Sequence, residues 1–331
     1  MPELLLTDSV AFDVPLKVPF RGITRRTGLL LRGPAGWAEF AKGGAMADVV
    51  LVVRMNEFQP RALNPNVPFT PEELAEDAAA CVEAGASAVH FHGRSADGGV
   101  DLTASMISET VDAIRARCDA VTYCTLGAGT DLDRDRRMAM LRDATTLPDL
   151  APVDLGSFNL DPYLAEERQF LMEEGLYVNT VGTIRHLLEG MVGLGVVPVG
   201  VSWTIGSLRL LGALLDAGSW PSPVFTELVV SERLLVTNPA TPLGVDQLVG
   251  HLPPVPHVWT VMTSMGSILP LVEHVAGCGG GLAFGLGDHP YPELGSAPTN
   301  ADVVASVVEK LRASGLEPAS PDGLRARLGL S

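Results

Sequence analysis

The sequence predicts an α/β protein folded as a closed (β/α)8 TIM barrel with a short N-terminal β-hairpin extension. Three observations predict it. From residue 48 onward, a short β-branched run is followed by a helical pattern, many times over. Eight strand segments can be counted this way, which suits a closed barrel better than the alternative, an open doubly wound sheet. The chain has 331 residues, 47% of them apolar, enough to fill one large core.

The elements follow in order. Residues 14–24 and 30–40 read as a hairpin turning near Arg26-Thr27-Gly28. Strands are expected at 48–55, 87–93, 120–126, 153–158, 197–203, 223–230, 257–264 and 281–287. The first helix is the clearest. Thr70 reads as its N-cap, Pro71 as its first residue, and Glu72 and Glu73 as its acidic first turn. Leu74, Ala78, Cys81 and Val82 share one face, and Gly85 stops it. Further helices are expected near 102–117, 132–146, 164–174, 182–193, 205–217, 243–251 and 266–276. A last long one falls near 299–313, and a short one near 321–329.

Charge separates the chain into two pieces. The net charge is −16 overall. Residues 1–46 hold six Lys and Arg against four Asp and Glu, so the rest carries −18. We therefore expect an extension over 1–46 and a barrel domain over 47–331. An acidic chain with no basic face does not suit a nucleic-acid partner. The most apolar stretch, near 187–203, is interrupted by Glu189 and Pro198, so no membrane span is expected. The N-terminus has Glu3 and Asp8 and no basic n-region, unlike a secretory signal. Four cysteines without a CxxC pair suit a reducing compartment, and a cytoplasmic location is expected.

In such barrels the chemistry sits at the C-terminal ends of the strands. The second strand ends His90-Phe91-His92-Gly93-Arg94. Residues two apart point the same way in a strand, so both imidazoles face the same point and could hold a metal such as zinc. Two core histidines are the plain alternative. Other strand ends add Arg54, Asn56 and Glu57, then Thr125, Ser157, Glu227, and finally Asp288 and His289. Gly277-Cys278-Gly279-Gly280-Gly281 looks like a phosphate cradle. It precedes a strand, however, and so falls on the opposite face.

These residues resemble the β-keto acid cleavage enzymes, the 3-keto-5-aminohexanoate cleavage enzyme-like family. The resemblance runs through Asn64-Pro65-Asn66-Val67-Pro68, TPEELAEDA, Glu83-Ala84-Gly85-Ala86 and His90-Phe91-His92-Gly93-Arg94. It continues at Gly156-Ser157-Phe158-Asn159, Trp259 and Thr299-Asn300-Ala301, and spans 48–330. It implies a zinc-dependent barrel, active as a homo-oligomer. The implied reaction converts a β-keto acid and acetyl-CoA to acetoacetate and a new CoA thioester. By position, His90 and His92 match the family's zinc histidines, and Arg94 the arginine after them, a candidate to bind substrate by holding its carboxylate bidentately. Thr125 falls on a catalytic serine, Ser157 on a threonine and Asp288 on the catalytic aspartate. Glu57 lies within one residue of a substrate-binding glutamate, and Asn56 and Arg54 beside it are candidates for the same task.

Two positions depart from the family. Its third zinc ligand, a glutamate before the aspartate, is Gly287 here, and a catalytic arginine four residues earlier is Ala283. His289, Glu57 and Glu227 are the possible replacement ligands. A metal-dependent hydrolase, or a non-catalytic paralogue that binds a small acid, are the alternative functions. Residues 1–45 resemble the opening hairpin of o-succinylbenzoate synthase instead. Lys42-Gly43-Gly44-Ala45-Met46 is compatible with a purine-rich ribosome-binding site before a start at Met46, so 1–45 is either read-through or a true extension.

Overall fold

The computed structural model describes residues 8–20, 23–33, 36–40, 48–57, 59–127 and 131–330. It divides into two compact units, Met1–Asp48 and Val49–Ser331. The Lys42–Met46 junction lies outside the described residues.

In the first unit, β1 (Asp8–Phe20) pairs antiparallel with β2 (Ile23–Gly33), which pairs with β3 (Gly36–Phe40). The expected turn is corrected. Arg26, Thr27 and Gly28 sit inside β2, opposite Val14, Asp13 and Phe12, and the chain reverses between Phe20 and Ile23. A lone glycine in an alternating run is compatible with a strand and does not by itself mark a turn. The unit is a three-stranded sheet, with β3 added to the hairpin.

The second unit is the barrel. Its first half is β4 (Leu51–Arg54), α1 (Pro71–Ala84), β5 (Ala88–Phe91), α2 (Ala104–Arg117), β6 (Val121–Cys124), α3 (Arg134–Arg142) and β7 (Leu150–Asp154). An excursion of β8 (Phe158–Leu160), β9 (Tyr163–Leu164), β10 (Gln169–Phe170) and β11 (Gly175–Tyr177) follows. Then come α4 (Val181–Leu194), β12 (Val197–Ser202), α5 (Ile205–Asp216), β13 (Val224–Val230), α6 (Pro242–Val249) and β14 (His257–Thr263). The chain closes with α7 (Val272–Gly277), β15 (Gly281–Phe284), α8 (Asn300–Ala313) and α9 (Pro321–Leu328). The eight parallel strands close in the order β12-β13-β14-β15-β4-β5-β6-β7.

α1 shows how local chemistry sets the frame. The Thr70 hydroxyl accepts from the Glu73 N–H, and the Glu73 carboxylate accepts from the Thr70 N–H, a complete capping box. Gly85 ends the helix at φ 120°, and a Cβ there would press on Val308 at 3.1 Å. The strands then alternate. Val50, Val52, Ala88, Val121, Tyr123, Phe225 and Val229 fill the barrel, while Leu51, Val53, Val89 and Leu228 pack under the helices. Leu324 and Leu328 of α9 join the inner cluster and close the N-terminal end, so open space is left at the other end.

Three expectations are corrected. The strand expected at 153–158 is β7, Leu150–Asp154, so Ser157 lies beyond its end. No helix forms over 164–174. β8 pairs with β11 and β9 with β10, both antiparallel. The apolar side chains there, Phe170, Leu171 and Met172, stay exposed and give a helix no face to bury. The helix expected at 266–276 starts later, because Pro270 confines Leu269–Leu271 to one 3-10 turn before α7.

Candidate active site

The open end holds a cavity of about 450 Å³. Every barrel strand except β15 supplies lining side chains from itself or the residues just after it, and the loop beyond β15 adds Gly287 and Asp288. Parallel pairing places Arg54 of β4 directly beside His90 of β5. Beyond Arg54 the chain bends sharply, with Glu57 at φ 36°, a conformation rare for a residue with a Cβ. That bend turns the Glu57 carboxylate back toward the imidazoles. Its Oε1 lies 3.0 Å from His90 Nε2, and its Oε2 lies 2.5 Å from His92 Nε2. The two rings stand 5.2 Å apart, almost perpendicular.

Asn56 holds this corner. Its Oδ1 accepts from the His92 N–H at 2.9 Å, and its Nδ2 donates to the carbonyls of His92 at 2.9 Å and Pro68 at 3.1 Å. Asn56 thus acts through the backbone that carries His92. Gly287 leaves the space Glu57 needs. A Cβ there would sit 2.5 Å from Glu57 Cγ and 2.8 Å from the Arg54 carbonyl.

Arg54 is the centre of the charge pattern. Its guanidinium reaches Glu57 at 2.6 Å, Glu227 at 2.9 Å and Asp288 at 3.2 Å. All of these groups are buried, and they titrate differently. Burial alone would raise the Glu57 carboxyl, but Arg54, His92 and His90 together hold it well below the usual range. Burial pushes Glu227 up to about 7 despite Arg54, with Glu57 and Asp154 adding to the rise. Asp288 is raised well above the usual carboxylate range, by burial first and then by Glu57 and Glu227. Burial lowers His90 to about 4, against the pull of Glu57, so its imidazole is neutral at neutral pH.

The structure sorts the candidate residues. Arg54, Glu57, His90, His92, Thr125, Glu227 and Asp288 all line the cavity. Ser157 does not; it is exposed, and its Oγ accepts from the Asn179 N–H at 2.9 Å. Arg94 also stands outside. Its guanidinium donates to the Gly98 carbonyl at 2.8 Å and the Gln59 carbonyl at 2.6 Å, and lies over the Phe69 ring. Those contacts tie together the loops after β4 and β5. His289 turns toward Glu293, 3.4 Å away, and is not part of the imidazole–carboxylate cluster.

Sequence reasoning missed Asp154, Tyr123, Tyr177 and Trp203, which line the same cavity. Asp154 accepts from Trp203 Nε1 at 2.7 Å and from the Tyr177 hydroxyl. The signal was available. A strand ending at 154 rather than 158 would have put Asp154 at a strand end.

Glu57, His90 and His92 offer a carboxylate oxygen and two ring nitrogens within 4.8 Å of one another. Two imidazole nitrogens and a carboxylate, opening onto a cavity, fit a divalent ion such as zinc with an open position. Residues 48–330 match the family described as beta-keto acid cleavage enzyme. The chain belongs to this family. It is 27% identical over 270 residues to the 3-keto-5-aminohexanoate cleavage enzyme of Acetoanaerobium sticklandii, covering 81% of this chain and 93% of that one. It is 26% identical over 287 residues to the 3-dehydrocarnitine:acetyl-CoA trimethylamine transferase of Rhizobium meliloti, covering 80% and 91%. Among solved structures, ObcA in complex with oxaloacetate shares the fold. Its TM-score is 0.61 at 17% identity, over 81% of this chain and 68% of that one. The N-terminal segment of this β-keto acid cleavage enzyme matches a different family. Residues 11–42 match the enolase N-terminal domain-like family. A segment of 31 residues is 61% identical to the o-succinylbenzoate synthase of Thermobifida fusca, over 9% of this chain and 10% of that one. Among the described residues, no helix is long and apolar enough to cross a membrane.

Proposed function

We propose that this enzyme cleaves a β-keto acid in exchange with acetyl-CoA, giving acetoacetate and a new CoA thioester. The observation that carries this reading is the meeting of Glu57, His90 and His92 with Arg54 and Asp288 at one end of the barrel. Glu57, His90 and His92 would hold zinc or another divalent ion. When bound, such an ion supplies Lewis-acid polarisation of a keto oxygen.

The chain's own residues do the rest. Asp288 Oδ2 is buried, has no hydrogen-bond partner among the described residues and lines the cavity, which suits a group that moves a proton to or from substrate. Glu227, pushed by burial to about 7, contacts the same Arg54 guanidinium, so Arg54 couples the charge states of Glu227 and Asp288 electrostatically without itself carrying the proton. Thr125 offers a hydroxyl to the developing oxyanion. Leu160, Pro162, Leu234 and Met262 line the cavity with apolar surface that suits the carbon skeleton of a keto acid. We read 47–331 as the catalytic domain and 1–46 as an extension outside the chemistry. We also read the enzyme as a cytoplasmic homo-oligomer that takes small keto acids and CoA esters.

Initial rates of CoA-thioester formation over a panel of β-keto acids test this. Turnover that requires both keto acid and acetyl-CoA, and that falls in Asp288→Asn, supports the proposal. Product release without acetyl-CoA would make the enzyme a hydrolase. Ligand binding with no turnover of either kind would make it a binding paralogue.

A further inference from the structure

A second group of ligand atoms lies away from the cavity. Asp246 is on α6. His274 is on α7, and Cys278 caps the C-terminal end of α7. His274 and Cys278 are four residues apart, so a helical turn places them on one face, and Asp246 meets them from the neighbouring helix. The Gly279-Gly280 link then leads straight into β15, so the group sits toward the N-terminal end of the barrel strands. The active site lies at the other end.

The geometry narrows what the group can do. His274 Nε2 is 2.7 Å from Asp246 Oδ1 and 4.0 Å from Cys278 Sγ, and Sγ is 4.0 Å from the same Oδ1. In a thiol–imidazole–carboxylate triad the imidazole uses one nitrogen for the thiol and the other for the carboxylate. Here a single nitrogen faces both partners. Three ligand atoms therefore converge on one point, as they do around a metal ion. Tetrahedral zinc with ordinary bond lengths needs about 3.6 Å between sulfur and nitrogen and about 3.4 Å between nitrogen and oxygen. The thiol would move in by about 0.4 Å, and the imidazole–carboxylate contact would open by about 0.7 Å. Surface side chains make such adjustments by small torsions, and all three are accessible to solvent.

We propose that Asp246, His274 and Cys278 form a second divalent-metal site, selective for zinc-like ions over magnesium or calcium because it offers sulfur and nitrogen. The thiol proton leaves to solvent as the metal–sulfur bond forms. A fourth position stays open to water. The site is independent of the proposed catalytic one, whose candidate ligands Glu57, His90 and His92 include no sulfur.

Cobalt titration of the full-length protein, first stripped with a chelator, tests it. A sulfur-to-cobalt charge-transfer band should appear in the near ultraviolet. It should persist in the His90→Ala/His92→Ala variant and vanish in Cys278→Ser. His274→Ala should weaken the binding that produces it by more than about tenfold. Zinc should also slow alkylation of Cys278 in the parent protein by more than about tenfold, and should not do so in His274→Ala. No sulfur–cobalt band in the parent protein, or a band that survives Cys278→Ser, overturns the proposal.

Discussion

Gly287→Ala perturbs the site with one carbon. The added Cβ would sit 2.5 Å from Glu57 Cγ, 2.8 Å from the Arg54 carbonyl and 2.9 Å from the Glu57 N–H nitrogen. The first contact can be relieved only by swinging the Glu57 side chain away. The other two involve backbone, so the bend after β4 must also yield. Overpacking of this kind costs about 1–3 kcal/mol, and two backbone contacts place it toward the upper end. The larger effect falls on Glu57. Moved from its place 3.0 Å from His90 and 2.5 Å from His92, it leaves two imidazoles without their carboxylate. We expect zinc affinity to fall at least about a hundredfold, equivalent to about 2.7 kcal/mol. Competition against a chelating dye reads the affinity, and thermal unfolding of the metal-free protein reads the packing cost separately. If Gly287→Ala stays folded and binds zinc as tightly as the parent, Glu57 does not depend on the space at 287 and the reasoning fails.

Other outcomes follow from the same structure. Asp288→Asn should lower kcat by about 10²–10⁴-fold with little change in zinc content, as expected for loss of a proton-transfer group. Ser157→Ala, outside the cavity, should keep near-parent turnover, whereas Thr125→Val should lower it; equal effects would remove Thr125 from the chemistry. Burial raises Asp77 to about 7, against its hydrogen bond from Asn300 Nδ2, so between about pH 4 and 7 the folded state holds a proton the unfolded chain has lost. Stability should therefore fall across that window by about 2 kcal/mol, after discounting for partial exposure, and Asp77→Asn should flatten the slope in urea titrations at each pH. Gly212 in α5 has open space around its Cβ position, so Gly212→Ala should stabilise by about 0.4–1 kcal/mol in the same assay.

Much of this was legible because strong local rules and the global fold agree. Helix α1 was readable to the residue from its cap, proline and stop, and the His-x-His pair from the two-residue period of a strand. What the sequence hid depended on register and backbone bends. Ala-Pro-Val-Asp ends β7, and the expected strand, carried on through Leu155 to Phe158, ran four residues too far. That shift favoured Ser157 and concealed Asp154 and its partners Tyr177 and Trp203. Arg94 read as a substrate ligand because arginine after two histidines fits a carboxylate. Its geometry instead spends the guanidinium on two loop carbonyls and an aromatic face. Among His289, Glu57 and Glu227, it is Glu57 whose carboxylate meets both imidazoles, and it does so through a bend at its own φ that no periodicity encodes.

The two departures from the family pattern become one feature when the strand order is considered. Both fall on β15 or just beyond it, at Ala283 and Gly287, and β15 pairs with β4 in the closed barrel. Ala283 lies opposite Val52, and Arg54 is two residues further along β4, on the same inner face and one step nearer the cavity. Glu57 follows it and occupies the space that Gly287 leaves. We read this as a cation and a ligand carboxylate supplied by strand one in place of strand eight. The 2.6 Å contact between Arg54 and Glu57 binds the pair into a unit, and Arg54 also carries Glu227 and Asp288. Buried charges so connected do not contribute independently. Restoring an arginine at 283 or a glutamate at 287 alone would add a buried charge or an overpacked side chain beside a cluster that already has both. On this reading the relocation is reversible only as a whole, because the cation and carboxylate of the proposed site both come from β4 and the residues just after it.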